Sequence, residues 1–252
     1  LARDVAAYLS GQIESGGKPA ALSLPKLLAM ATKAMGGTQA QGAYSTKDAY
    51  DAMELGLNLA VLRMGEGTNF QNQTIDQTRA FLDRLNQVQG LLPTQTKRDE
   101  EQQHLQQFST PHVHAHVAAW AANISGTDRV LEPTAGTGNL VAHAKLFGPA
   151  EIAANEMSAR RLALLRKIPG ARVFNENASH LNAVLPADVR PTVVVMNPPF
   201  SADANLPGKK QVAVGALHIE QALDRLQDGG RLVAIVGRGM AFDAPRFKAW
   251  WN

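Results

Sequence analysis

A short Asn-Pro-Pro-Phe motif carries the most specific chemical signal in the sequence. Two consecutive prolines fix φ at about −65° and remove two backbone donors, so Pro198 and Pro199 make a stiff corner rich in acceptors. The amide of Asn197 and the free carbonyls can accept hydrogen bonds from an amino group, and Phe200 offers a face on which a planar base can stack. The motif follows the apolar run 192–196, which predicts a strand buried on both faces. A rigid loop that only ends this strand is the alternative.

A second motif, Glu-Pro-Thr-Ala-Gly-Thr-Gly, spans residues 132–138 between a predicted strand and a predicted helix. Gly136 and Gly138 allow the backbone to turn sharply and to approach a ligand, and the helix N-terminus favours a carboxylate or a phosphate. The spacing is not the dinucleotide fingerprint, because Glu132 precedes the glycines. About twenty residues later, Glu156 ends a further strand, where a carboxylate can accept both hydroxyls of a ribose. An ordinary Gly-rich turn and a solvated acid are the alternatives.

Together these motifs resemble those of class I S-adenosylmethionine-dependent methyltransferases that modify amino groups, specifically the N6-adenine DNA methyltransferases. The resemblance covers about residues 100–252, in the order that places the cofactor motifs before the catalytic one. Glu132 stands where Asp is usual in that family, and Ala135 where Cys is frequent. The acid that usually contacts the cofactor adenine is replaced by Asn177, beside Glu176. The chain is also similar to the methyltransferase portion of large phage and mobile-element proteins that carry a helicase.

The resemblance implies a set of site residues. The catalytic tetrapeptide is matched by Asn197, Pro198, Pro199 and Phe200. The residues that it assigns to the cofactor are Phe108, Ser109, Thr110, Pro111, Glu132, Thr134, Ala135, Gly136, Gly138, Glu156, Asn177 and Asn197. In addition, a loop after the tetrapeptide and the end of the last strand could contact DNA through Lys209, Lys210 and Arg238.

The activity implied by the resemblance is direct transfer of a methyl group from S-adenosylmethionine to the N6 amino group of a flipped adenine in DNA. The expected partner is therefore DNA, and no metal is required. Methylation of RNA or of a protein glutamine amide is an alternative. So is a module that binds cofactor or DNA without turnover, which the replacement at Asn177 would favour.

The pattern of the chain predicts an α/β fold: a Rossmann-like parallel sheet flanked by helices (96–252), preceded by a small helical domain or arm (1–95). Strands are predicted at 129–132, 150–155, 171–174, 192–196 and 231–236, and the last of these, like 192–196, is predicted to be buried. Helices are predicted at 3–15, 24–35, 45–64 with Ser45 as the N-cap, 74–88, 97–107, 111–120, 138–147, 158–167 and 217–226. The sheet of the resembled family normally has more strands. We therefore expect the remainder of a larger polypeptide, another subunit or the N-terminal helices to complete it and to supply DNA recognition.

Composition and charge limit the kinds of partner, metal site and cellular location that are expected for the protein. Net charge is −1 for residues 1–107 and +4 for residues 108–252, so the second part suits a polyanion, although an ordinary solvated surface is equally compatible. No apolar run approaches the roughly 20 residues that span a bilayer. The absence of cysteine excludes disulfides and thiolate metal sites and fits a cytoplasmic location. Of the closely spaced His112, His114 and His116, only the first and last could meet on a helix, so a metal site is not expected.

Overall fold

The computed structural model describes residues 1–14, 18–94, 109–199, 203–204, 212–245 and 247–251. The helix predicted at 97–107 lies outside these ranges.

The N-terminal part is helical, as predicted. It contains α1 (Ala2–Glu14), α2 (Leu24–Met35), α3 (Thr46–Met64) and α4 (Ile75–Gly90), with a 3-10 turn at Gln39–Gln41. The predicted N-cap of α3 is confirmed: Ser45 Oγ accepts from the Asp48 amide at 3.1 Å, and Asp48 Oδ2 accepts from the Ser45 amide at 2.8 Å. This reciprocal pair satisfies two donors at the start of the helix and therefore fixes where it begins.

The second part alternates strands and helices. Its helices are α5 (His112–Ala121), α6 (Asn139–Leu146), α7 (Ala159–Leu165), α8 (Leu181–Val184), α9 (Val214–Arg225) and α10 (Lys248–Trp251), with 3-10 turns at Ala178–His180 and Arg238–Met240. Its strands are β1 (Arg129–Glu132), β2 (Glu151–Asn155), β3 (Ala171–Phe174), β4 (Val193–Met196), β5 (Asp203–Ala204), β6 (Val212–Ala213) and β7 (Arg231–Ala234).

The main sheet confirms the predicted fold class. Its strands are all parallel, in the order β3-β2-β1-β4-β7. The chain therefore builds outward from β1 to β3 and then crosses back to place β4 on the other side of β1. Such a switch point opens a crevice at the carboxyl ends of β1 and β4, which is where open α/β sheets bind ligands.

The core explains why β4 lies at the centre of the sheet. All four of its residues are fully buried. Val193 and Val195 face a cluster that also contains Leu9 and Leu55 of the N-terminal helices, whereas Val194 and Met196 belong to the cluster on the opposite face. The N-terminal helices thus extend the core on one face of the sheet, while the proposed boundary between residues 95 and 96 stays a prediction.

Some predicted elements are corrected by the structure. The last strand was expected to be buried, but β7 is only half-buried because it forms an edge of the described sheet. It also ends at Ala234, although one more ladder bond follows, from the Ile235 amide to the Met196 carbonyl at 2.9 Å. Helix α9 begins at Val214, three residues before the predicted start at 217. The short antiparallel pair β5–β6 and the short helix α8 were not predicted.

Helix α3 also connects the N-terminal helices to the α/β part of the chain through ion pairs. Asp51, which is 1% exposed, pairs with Lys47 at 2.9 Å and with Arg160 of α7 at 3.2 Å. Breaking a buried ion pair by removing one partner is costly, so this contact favours a single docked position of α3. Among the helices of the described ranges, none has the length and apolar character needed to cross a membrane.

Candidate active site

The floor of the crevice is held by Asn155 at the end of β2. Its Nδ2 donates to the carbonyls of Pro133 at 3.0 Å and of Glu176 at 2.9 Å, and its Oδ1 accepts from the Glu176 amide at 2.8 Å. One buried amide therefore ties together the ends of β1, β2 and β3. Asn155 was not predicted as a site residue, although an Asn inside a buried strand and beside Glu156 was a usable signal.

The predicted glycine turn lies directly above this floor. Gly136 and Gly138 have φ angles of +59° and +97°, which glycine adopts without strain. A Cβ on Gly138 would lie 2.2 Å from Ile168 Cδ1, so a side chain there would have to displace Ile168 as well as adopt a positive φ. The two glycines therefore let the chain turn sharply into α6.

The structure places Glu156 against the glycine turn. Its Oε2 accepts from the Gly136 amide at 2.8 Å, and its Oε1 accepts from the Ser158 amide at 2.7 Å. Each oxygen retains acceptor capacity beyond this one bond, because a carboxylate oxygen can accept more than one donor. The carboxylate is thus held in one orientation and can still receive hydroxyl donors.

Glu132 is the most perturbed acid of the site. It is fully buried, and burial raises the pKa of its carboxyl to about 8, although Thr134 donates to Oε1 from its amide at 3.2 Å and from its hydroxyl at 3.3 Å. Its Oε2 is buried and receives no hydrogen bond from a described residue. The group is therefore mostly protonated near neutral pH.

The Asn-Pro-Pro corner follows β4 and faces the same crevice. Asn197 Nδ2 donates to Thr110 Oγ1 at 2.8 Å, and the Thr134 hydroxyl lies 3.4 Å from the Asn197 carbonyl oxygen. Asn197 Oδ1 is buried, and none of the described residues donates to it. Because an unpaired buried acceptor is costly, this atom is the best candidate in the corner to bind an N–H group of a ligand.

The start of α9 supports the corner from behind. A Cβ on Gly215 would lie 2.4 Å from the Pro199 carbonyl oxygen, so the helix can approach the corner only because residue 215 is glycine. Phe200, the stacking candidate, lies outside the described residues.

The segment before α5 contacts the glycine turn from the other side. Ser109 and Thr110 lie there, and the Thr110 carbonyl accepts from Asn139 Nδ2 at 2.8 Å. Pro111 is the N-cap residue of α5. Thr110 thus links α6 to Asn197 through its backbone and its hydroxyl, and its contact with the cofactor stays a prediction. Phe108, the first residue of the predicted segment, lies outside the described residues.

Two further residues of the candidate site come from α3 and were not predicted from the sequence. Glu54 Oε2 accepts from Ser109 Oγ at 2.7 Å and from Thr137 Oγ1 at 2.9 Å. One turn later, Asn58 Nδ2 donates to the Thr137 carbonyl and to Asn139 Oδ1, both at 3.0 Å. An acid and an amide four residues apart within a largely apolar helix were the available signal.

The other predicted contacts are less developed. Asn177 is exposed, and its Oδ1 accepts from the Ser179 amide at 2.9 Å, so its carbonyl caps a 3-10 turn instead of pointing freely at a ligand. Glu176 is half-buried beside it. Arg238 is exposed after β7, where a DNA contact remains a prediction. Lys209 and Lys210 lie outside the described residues.

A third histidine joins the pair singled out in the sequence. His143 of α6 places Nε2 at 3.1 Å from His112 Nδ1, and Nδ1 at 3.3 Å from His116 Nδ1. Burial lowers the pKa of both His112 and His116 to about 4. Since the two nitrogens of one imidazole point in different directions, the three rings cannot chelate one ion. No cluster of three His, Cys, Asp or Glu suited to a metal occurs among the described residues.

Comparison with known proteins identifies a family for this architecture. The model of the methyltransferase small domain family matches residues 107–244. No curated protein sequence matches the chain significantly.

Solved structures with a similar fold include a candidate RNA methyltransferase from Pyrococcus horikoshii, with 21% identity, a TM-score of 0.49 and coverage of 70% of this chain and 81% of that one. The modification subunit of a candidate type I restriction enzyme from Vibrio vulnificus has 16% identity, a TM-score of 0.44 and coverage of 80% and 50%. A candidate methyltransferase from Streptococcus mutans, solved with SAH, has 17% identity, a TM-score of 0.37 and coverage of 51% and 73%. Similarities of this size do not distinguish between substrates.

Proposed function

This chain belongs to the methyltransferase small domain family, and on that premise we propose that it methylates the N6 amino group of adenine in DNA. The observation that carries the proposal is the buried, unpaired Oδ1 of Asn197 in the Asn-Pro-Pro corner, beside the glycine turn. That corner offers acceptors to an exocyclic NH₂ group. The charge of +4 on residues 108–252 is compatible with a polyanionic substrate.

The cofactor is S-adenosylmethionine, and the residues present fit it. The Glu156 carboxylate, oriented by the amides of Gly136 and Ser158, would hold the ribose hydroxyls. The glycine turn and the Ser109–Thr110 segment would hold the methionine part, and Glu176 or Asn177 would approach the adenine. When bound, the cofactor supplies an activated methyl group on a sulfonium.

The chain's own contribution is to position the acceptor nitrogen. An exocyclic amino group on a base is a poor nucleophile because its lone pair is delocalised into the ring. Asn197 Oδ1 and the Pro198 carbonyl would accept hydrogen bonds from its two N–H groups. These bonds favour a tetrahedral nitrogen, whose lone pair is no longer delocalised into the ring. Thr110 holds the Asn197 amide through Nδ2, so Oδ1 stays on the side of the crevice. This is catalysis by positioning and by preorganised dipoles.

Transfer of labelled methyl groups to unmodified DNA, to RNA and to protein tests the proposal. We expect label in DNA, recovered as N6-methyl-2′-deoxyadenosine after nucleoside analysis. Label in RNA or on a protein glutamine would show that the chain transfers methyl groups to a different substrate. Binding of S-adenosylmethionine without transfer to any of the three would support a binding module instead.

A further inference from the structure

Helix α3 lies outside the segment that the family model matches, yet its residues contact Thr137 of the glycine turn. We propose that Glu54 is a cofactor-binding residue, whose carboxylate binds the α-amino group of the methionine part of S-adenosylmethionine. This inference rests on the proposed function, because it assigns one more contact in the same pocket.

The position of Glu54 carries the inference. Its carboxylate contacts Ser109, in the segment before α5, and Thr137, in the glycine turn, and both hydroxyls donate to the same oxygen, Oε2. In the proposed function, the methionine part of the cofactor would lie between these two segments. Glu54 is only half-buried, so it is not sealed inside the helix packing.

The carboxylate of Glu54 suits a cationic ligand. Burial raises the pKa of the Glu54 carboxyl, whereas the nearby charge of Arg161 and the hydrogen bonds from Ser109 and Thr137 favour its ionised form. A second carboxylate, Glu156, lies beside the same turn, where its Oε2 accepts from the Gly136 amide at 2.8 Å. An ammonium group beside Glu54 would offset the cost of burying this charge.

Asn58, one turn further along α3, braces the same turn with a neutral amide that bonds the Thr137 carbonyl and Asn139. Glu54 adds a carboxylate beside this brace, and the nearby charge of Arg161 favours its ionised form. An ionised carboxylate in this position can accept from a positive group of the ligand as well as from the two hydroxyls.

The test compares ligands that differ only in the part facing Glu54. Dissociation constants of S-adenosylhomocysteine, of its analogue without the α-amino group and of 5′-methylthioadenosine are measured by calorimetry for the wild type and for Glu54→Gln. Glu66→Gln, an exposed acid just after α3, is the matched control. We expect Glu54→Gln to weaken binding of S-adenosylhomocysteine about tenfold or more, as for a charge-assisted hydrogen bond, and to leave binding of 5′-methylthioadenosine within about twofold.

The outcomes separate the two proposals. Equal weakening of all three ligands in Glu54→Gln would make Glu54 a structural residue and overturn the inference, while the proposed function would stand. If Glu54→Gln does not fold, the wild type alone decides: equal affinity for S-adenosylhomocysteine and for its analogue without the amino group overturns the inference. A wild type that binds none of these ligands would overturn the proposed function as well.

Discussion

At the scale of single residues, the side-chain carbonyl of Asn197 is the acceptor on which the proposed reaction depends. Replacing Asn197 with Ala removes it and leaves the glycine turn and Glu156 in place. We expect the kcat for methyl transfer to fall by about 10²–10³, as is typical when one preorganised polar group of a transition state is removed. The dissociation constant for S-adenosylhomocysteine should change little. Single-turnover transfer and calorimetry measure these two quantities.

The control for this variant is Asn182→Ala, an exposed asparagine on α8, which should leave both quantities unchanged. If Asn197→Ala transfers methyl groups at the wild-type rate, the assignment of the catalytic corner is wrong. If it instead loses cofactor binding in proportion to activity, Asn197 acts on the cofactor and not on the substrate amine.

Gly215 gives a second test of the same corner without touching it chemically. Because a Cβ there would lie 2.4 Å from the Pro199 carbonyl oxygen, Gly215→Ala must displace the corner or the start of α9. We expect a tenfold or larger loss of kcat, since misplacement by about 1 Å can cost about 10²-fold, with cofactor affinity retained. Gly239→Ala, where nothing lies within 4 Å of the added Cβ, should behave as the wild type in the same transfer assay. Equal activity of the two variants would contradict this account.

At the scale of elements, α3 must dock correctly to deliver Glu54 and Asn58. Its contact with α1 depends on Gly56, where a Cβ would lie 2.7 Å from Val5 Cβ and 2.8 Å from the Ala2 carbonyl oxygen. Overpacking of this kind typically costs about 1–3 kcal/mol, so we expect Gly56→Ala to lower the free energy of unfolding by that amount in urea denaturation.

Gly11→Ala, in the facing helix α1, is the control for Gly56→Ala. Nothing lies within 4 Å of its added Cβ, so replacing a glycine inside a helix should raise the free energy of unfolding by about 0.5–1 kcal/mol. Opposite signs for the two variants would support the close α1–α3 packing. A neutral Gly56→Ala would mean that the two helices can separate at little cost.

Local patterns predicted most elements because their signals lie within a few residues. The apolar run at β4 and the N-cap residue Ser45 before α3 are of this kind, and both elements form where expected. Sheet edges and the pairing of strands across loops were harder to predict from the sequence. Whether β7 is central or at an edge depends on which strands pair with it, and the β5–β6 pairing joins residues across a loop, so neither could be predicted from periodicity.

The residues of the candidate site divide in the same way between local motifs and long-range contacts. Gly136, Glu156 and Asn197 belong to motifs with characteristic neighbours: the Gly136 amide donates to Glu156, and the Thr134 hydroxyl lies 3.4 Å from the Asn197 carbonyl oxygen. Glu54 and Asn58 belong to no local motif, and the contact between Asn58 and Thr137 joins residues 79 positions apart. Only the docking of α3 on the sheet, a property of the whole core, brings them to the turn.

At the scale of the whole molecule, several neutral histidines are buried in the core. Burial lowers the pKa of His112, His116 and His218 to about 4, and it lowers that of His143 as well. The unfolded chain, with histidine pKa values of about 6.5, binds more protons than the folded chain as the pH falls from about 6.5 to about 4. These groups therefore stabilise the fold above about pH 6.5, and that stability is lost below it.

Two acids act in the opposite direction. Burial raises the pKa of Glu132 to about 8 and also raises that of Glu54, so their contribution is present at low pH and is lost as the pH rises. Because the histidines outnumber these acids, we expect the free energy of unfolding of the ligand-free protein to fall by about 2–4 kcal/mol from pH 7 to pH 5. Urea denaturation at several pH values measures this change.

His116→Phe assigns that pH dependence to the buried histidines. The ring of His116 packs against Phe70, Phe81 and Phe147, so an apolar ring of similar size is accommodated there and no longer titrates. The difference in the free energy of unfolding between pH 7 and pH 5 should be about 1–2 kcal/mol smaller in the variant than in the wild type. This expectation holds whatever the effect of the substitution on absolute stability. The exposed His114→Gln should keep the full difference. If His116→Phe and the wild type respond to pH identically, acid sensitivity arises outside the histidine cluster, and these rings contribute to the fold by packing alone.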